Sequence, residues 1–185
     1  LGDVYKRQVY DESDYIVTNE YEPTDEQKPI IDYIDNLLDE NKHEKILIRG
    51  VTGSGKTEIF LQTIRKCIED GKRAIMLVPE ISLTPQMVER FVSRFGKRVA
   101  VIHSGLSYGE RFDQWNKIKN NEVDVVVGAR SAIFAPLENI GMIILDEEHE
   151  NSYKSEINPR YHAREVAEYR ASALSLIHIS EPTRP

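Results

Sequence analysis

Gly50-Val51-Thr52-Gly53-Ser54-Gly55-Lys56-Thr57 fits the pattern GxxxxGKT at every fixed position. Gly50, Gly53 and Gly55 let the backbone turn tightly and bring its N–H groups within reach of phosphate oxygens, with Thr52 and Ser54 inside the same cradle. Lys56 would reach the β- and γ-phosphates, and the Thr57 hydroxyl would be a Mg²⁺ ligand. A second group of chemistry-bearing residues is Asp146-Glu147-Glu148-His149. Beside a triphosphate, Asp146 would hold the Mg²⁺ through water, and Glu147 would orient and deprotonate an attacking water. Glu148 and His149 would relay the nucleotide state to neighbouring loops. Acidic clusters alone are usually solvated faces, so the weight of this one depends on the elements that carry it.

Those elements are legible. Residues 46–48 form a short apolar run before the glycine loop, and Ile59, Phe60, Thr63, Ile64, Cys67 and Ile68 recur at helical spacing after it. The loop therefore lies between a buried strand and a helix N-terminus, whose dipole favours anions. Upstream, Thr24-Asp25-Glu26-Gln27 has the form of a helix-capping box, followed by Ile30, Ile31, Ile34, Leu37 and Leu38. Gln27 has two readings at this point: its amide could pair with adenine, or it could only cap its helix. Further apolar strand runs occupy residues 73–79, 98–103, 124–129 and 142–145, with DEEH directly after the last. Between them lie two helices, residues 84–95 with Met87, Val88, Phe91, Val92 and Phe95, and residues 107–119 with Tyr108, Phe112, Trp115 and Ile118. These aromatic and Met stripes are expected in the core. Two-faced apolar strands alternating with helices predict an α/β fold, a doubly wound, mostly parallel sheet of the P-loop NTPase (RecA-like) type.

The chain has 185 residues and a formal net charge of −7, with Asp11, Glu12, Asp14, Glu20, Glu22, Asp25 and Glu26 uninterrupted by any base. That balance argues against a protein that coats nucleic acid generally, and leaves a local DNA path open. The lone cysteine, Cys67, excludes an internal disulfide or zinc cluster and is consistent with a reducing cytosol. No apolar run has membrane-span length, and the N-terminus lacks a signal-peptide core. The two ends have a separate origin. Residues 1–8 (LGDVYKRQ) can be encoded as CTCGGAGATGTGTATAAGAGACAG, whose reverse complement reads Leu-Ser-Leu-Ile-His-Ile-Ser-Glu, which is residues 174–181. This resembles a transposase-type sequencing adapter read through at both ends. The expected organisation is an adapter-like scar at 1–8, a linker or the end of a preceding domain at 9–23, a nucleotide-binding domain at 24–173, and a second scar at 174–185.

The pairing of the glycine loop with the D-E-x-H box resembles a superfamily 2 helicase motor domain. Further runs are similar to the primosomal protein N′ family of bacterial replication-restart helicases. They are Val78-Pro79-Glu80-Ile81-Ser82-Leu83-Thr84-Pro85-Gln86, His103-Ser104-Gly105-Leu106-Ser107, Gly109-Glu110-Arg111 with Trp115, Gly128-Ala129-Arg130-Ser131-Ala132-Ile133-Phe134, and Arg160-Tyr161-His162-Ala163-Arg164. The resemblance covers nearly all of residues 24–173. It implies that Gln27 reads adenine, and that Glu80, Ser82, Thr84, Gly128, Arg130 and Ser131 line a single-strand path. Short hydroxyls and N–H groups on phosphate would track a strand without reading its sequence, although Ser and Thr in such loops also serve as caps. The segment from Tyr153 to Arg164 resembles an aromatic-rich loop that links DNA occupancy to hydrolysis. In it Tyr153, Tyr161 and His162 would stack on bases, and Lys154, Arg160 and Arg164 would meet phosphates. The alternative is a surface loop whose aromatics fill a crevice.

The same resemblance implies a parent that is a cytoplasmic, nucleoid-associated, ATP- and Mg²⁺-dependent 3′→5′ DNA helicase. It would act on single-stranded and forked DNA, with primosome or replisome partners, structural zinc and no membrane. The family's second motor domain with its arginine finger, its zinc-binding cysteines and its preceding DNA-binding domain have no counterpart within these residues. Competing readings are a P-loop small-molecule kinase, a related duplex-translocating motor, and a nucleotide-binding module without turnover.

Overall fold

The computed structural model describes residues 21–181 except 41 and 52. The linker reading at 9–20, the first scar, Thr52 and residues 182–185 lie outside the described residues. Six parallel strands make one sheet: β1 (Lys45–Leu47), β2 (Arg73–Leu77), β3 (Val99–Ile102), β4 (Val125–Gly128), β5 (Ile140–Leu145) and β8 (Ile177–Ser180). Their spatial order is β1-β8-β5-β2-β4-β3, and every neighbouring pair is parallel. β2, β4, β5 and β8 are interior strands, and the first three are apolar on both faces for that reason.

Helices α1 (Lys28–Asp39), α2 (Lys56–Glu69) and α3 (Pro85–Phe95) bury their apolar stripes with alternate residues of the sheet in one core that includes Ile34, Phe60, Ile64, Met76, Phe91 and Ile144. The opposite core holds Ile75, Leu77, Ile118, Val126, Ile143 and Tyr153, and is closed by α5 (Ala163–Leu174) through Ala163, Ala167 and Ala171. Parallel strands demand crossovers, so each chemistry-bearing loop emerges at the same carboxyl edge of the sheet.

One expectation about packing fails. The helix α4 (Tyr108–Lys119) is capped by Ser107 and Glu110 as a full capping box, yet its aromatic stripe is not core. Tyr108 is 87% exposed, Phe112 57% and Trp115 37%, while Ile118 alone among the four is buried. The helix turns its other side to the sheet edge, where the Gln114 side chain accepts a hydrogen bond from Val101 N of β3 at 3.2 Å. Residues 174–181 take a place in the fold that their coding origin does not foretell. Residues of this stretch, set apart on coding grounds, supply β8 inside the sheet, between the edge strand β1 and β5. An alternation such as Leu-Ile-His-Ile-Ser has strand character wherever it comes from, and the slot between β1 and β5 accepts it.

Candidate active site

α2 starts at Lys56 with Gly55 as its N-cap, in the left-handed region at φ 80°. A Cβ there would fall 2.3 Å from Gln27 Nε2, so both the dihedral and the space require glycine. Gln27 is used on both sides of its amide. Its Nε2 donates to Ser54 O at 3.2 Å, and its Oε1 accepts from Thr24 N at 3.0 Å. Gln27 N donates back to Thr24 Oγ1 at 3.3 Å. The reciprocal bonds of the predicted box therefore form, but in the turn ahead of α1, whose N-cap is Gln27 itself without a side-chain cap, and the same side chain braces the phosphate loop. Lys56 Nζ donates to Gly50 O at 2.6 Å and Val51 O at 3.0 Å, and pairs with Glu181 at 3.1 Å. Glu181 thus stands where the sequence alone expects a phosphate.

The carboxylates arrive from β5. Asp146 N donates to Leu77 O at 3.0 Å, which keeps the residue in register with β2 past the end of the strand. Glu147 follows with φ 47°, an uncommon conformation for a non-glycine residue and one concentrated at functional sites. One cavity of about 1030 Å³ is lined by Gly53, Lys56, Thr57, Asp146 and Glu147 together. Burial pushes the Asp146 carboxyl up to about 7, helped by its hydrogen bond with Glu181 and the charges of Glu181 and Glu147, while Lys56 pulls the other way. Among the described residues, no three His, Cys, Asp or Glu side chains are grouped to hold a metal ion by themselves. Asp146, raised by burial and its acidic neighbours, and Thr57 line the same cavity, a donor set that fits a Mg²⁺ completed by phosphate and water oxygens.

The same edge carries contacts from the carboxylates to the loops expected on DNA. Ser82 Oγ donates to Glu147 Oε2 at 3.5 Å. Glu148 accepts from Arg164 Nη1 at 3.0 Å. Arg164 N donates to His162 Nδ1 at 3.3 Å. His149 lies near Glu150 at 3.7 Å. Glu80 accepts from Ser104 N at 3.1 Å, and Thr84 caps α3 by accepting from Met87 N at 3.2 Å. Ser131 is exposed at the same edge, after β4. The aromatic-rich loop is a hairpin, β6 (Lys154–Ser155) against β7 (Tyr161–His162). Lys154 and Arg160 are exposed on it, and the Tyr161 ring meets Phe134 edge-on at 4.9 Å.

Three residues differ from expectation. Tyr153 is fully buried, so it cannot stack on a base; its hydroxyl lies 2.6 Å from Asp146 O and 3.1 Å from Leu77 O and holds the turn after β5. Gly128 is inside the sheet, where a Cβ would stand 2.3 Å from Ile102 O; its role is to let β3 and β4 close. Arg130 is committed to the loop backbone, donating to Lys154 O at 2.7 Å. Sequence reasoning also missed the partner of Glu58. Arg94, itself buried, donates from Nη2 to both Glu58 oxygens at 3.1 Å, and the two residues line the same cavity. The available signal was a charge at position 94 within an apolar stripe.

Comparison with known proteins agrees with this geometry. The family description "DEAD/DEAH box helicase" matches residues 24–175, and the chain belongs to that family. Among curated relatives it is similar to the replication restart protein PriA of Bacillus subtilis, 65% identical over 148 residues, covering 80% of this chain and 18% of the relative. PriA of Synechocystis is 52% identical over 130 residues, covering 70% of this chain and 16% of that protein. The chain thus spans about a fifth of the length of these relatives. Solved structures with a similar fold include RecG bound to a three-way DNA junction, with a TM-score of 0.65, 23% identity, and coverage of 89% of this chain and 21% of that one. The Pyrococcus furiosus Hef helicase domain has a TM-score of 0.63, 22% identity, and coverage of 88% and 33%. Among the described residues, no helix is long and apolar enough to cross a membrane.

Proposed function

We propose that residues 24–173 are the ATP-binding motor domain of an ATP-dependent 3′→5′ DNA helicase that restarts stalled replication forks. The observation that carries this is the convergence of Lys56, Thr57, Asp146 and Glu147 on one cavity, with Glu147 bonded to Ser82 of the loop after β2 and Glu148 to Arg164 in the first turn of α5. Lys56 and the loop N–H groups would bind the triphosphate, and Thr57 and Asp146 would hold a Mg²⁺, which when bound would supply positive charge against the phosphates. Glu147 takes the proton of the attacking water. Its bond to Ser82 makes its position depend on the loop that follows β2, and the Glu148–Arg164 pair ties the neighbouring carboxylate to the start of α5, directly after the hairpin.

The parent protein acts on single-stranded and forked DNA in a bacterial cytoplasm, assembles with primosome proteins, and carries its structural zinc outside this chain. Residues 1–8 and 174–185 are exogenous. The complementary coding that the two ends permit supports this. So does β8, in which both His178 ring nitrogens and the Ser180 hydroxyl are buried without a hydrogen-bond partner. Alone, the chain binds ATP and does not unwind DNA, because the arginine finger comes from a second motor domain.

Two measurements test this. In the parent, Glu147→Gln leaves ATP affinity within about twofold and lowers DNA-stimulated hydrolysis by about a hundredfold or more. Hydrolysis retained in that variant would show that another group takes the proton. Strand separation by the purified 185-residue chain with ATP would refute the requirement for a second lobe.

A further inference from the structure

The exposed face of α4 has a composition that its position on an acidic protein makes informative. Tyr108, Arg111, Phe112, Trp115 and Lys119 are spaced i, i+3, i+4, i+7 and i+11, and all five are exposed. At about 100° per residue they fall within one stripe. No acid interrupts it. Glu110 points about 160° away from the direction of Phe112, and its carboxylate is bent back to accept from Ser107 N at 2.8 Å. Asp113 is turned about 140° from the direction of Tyr108.

A helix that only covered a sheet edge would place its large rings inward and its charges outward. Here the inward positions are Gln114 and Ile118, and three rings face water. Along the axis, Tyr108 and Phe112 are about 6 Å apart and Phe112 and Trp115 about 4.5 Å. That is comparable to the separation of successive bases in a partly extended strand. Two cations among the rings, with no acid, complement a phosphate backbone. The location is continuous with the sheet's carboxyl edge, since α4 begins directly after the loop in which Ser104 N is bonded to Glu80.

We propose that this face of α4 is a stacking strip for unpaired bases of single-stranded DNA, with Tyr108, Phe112 and Trp115 meeting the bases and Arg111 and Lys119 the phosphates. The inference rests on the single-strand path at the carboxyl edge for where the strand comes from; it does not depend on ATP. Stacking on aromatic rings tolerates any sequence, as a translocating contact requires.

Trp115 is the chain's one tryptophan, so its fluorescence reports on this face. The 185-residue chain is titrated with oligo-dT at low salt, following Trp115 emission and, separately, the anisotropy of labelled oligo-dT. The expected result is saturable quenching of Trp115 with the same midpoint as the anisotropy curve. The exposed substitutions Tyr108→Ala and Phe112→Ala weaken binding about tenfold each, Lys119→Glu weakens it and flattens its salt dependence, and Lys42→Ala, an exposed cation outside both sites, changes none of these. Anisotropy binding with an unquenched Trp115 and unaffected alanine variants overturns the strip while leaving the edge path standing. Absence of any binding overturns both. Sedimentation showing that the chain dimerises without DNA, with the dimer lost in Phe112→Ala, assigns the face to a second copy and also overturns the proposal.

Discussion

His178 makes the stability of this chain depend on pH in a way that can be calculated. It lies in β8 at 1% exposure with neither ring nitrogen bonded. Burial, reinforced by Lys45, lowers its pKa from 6.5 to about 4. A histidine depressed on folding stays neutral in the native state, while the unfolded chain takes up a proton. Its contribution is therefore fully present above 6.5 and is lost as pH falls from 6.5 towards 4. The full shift corresponds to about 3 kcal/mol, and by pH 5 about 2 kcal/mol of it is gone. Asp146 works in the opposite sense: its carboxyl is raised to about 7 from an ordinary 3.8. That contribution is largest below 3.8 and fades as pH rises to 7, so a single pH curve of the parent chain shows little. The difference between the chain and His178→Val isolates the imidazole. Urea unfolding at pH 7.5 should find the valine variant more stable by about 1–3 kcal/mol, the cost of a buried unbonded polar group. At pH 5 the advantage should be larger by about 2 kcal/mol. An advantage that is equal at both pH values would refute the burial of this histidine, and with it the seating of residues 177–180 in the sheet.

Glu181→Gln removes a carboxylate that competes with triphosphate for Lys56. One unit charge about 4 Å from a phosphate is worth about 4 kcal/mol at an effective dielectric of 20, part of which the shared lysine offsets. Titration with a fluorescent ATP analogue should show affinity rising about tenfold or more; unchanged affinity would place Glu181 outside the phosphate site. Tyr153→Phe deletes the hydroxyl between Leu77 O and Asp146 O. It should lower stability by about 1–2 kcal/mol in denaturant unfolding. An unchanged midpoint would mean that water replaces the hydroxyl.

The sheet and the phosphate loop were legible because their signals are local. A two-faced apolar run and a glycine pattern each state their own structure, and residues 46–48, 73–79 and 142–145 needed no knowledge of their neighbours. Tyr108, Phe112 and Trp115 were misplaced for the complementary reason. Helical spacing shows that a face exists, but whether anything covers it depends on where the sheet ends, and β3 turned out to be an edge. Tyr153 erred in the other direction: an aromatic beside charged residues reads as surface, while the chain folds it under the turn that follows β5. Glu58 and Arg94 are 36 positions apart and meet only when α3 lies across α2. The contact of Glu181 with Lys56 could not be foreseen once residues 174–185 had been set aside.

The side-chain oxygen of Gln114 occupies a donor that an outermost strand otherwise offers to any passing chain. β3 would be open to pairing along its outer side, and bare edges of this kind recruit identical molecules into ribbons. By placing one amide on Val101 N, α4 guards that border while leaving its far side open to solvent. Removing the amide, as in Gln114→Leu, would therefore register as clumping in concentrated solution before it registered as unfolding.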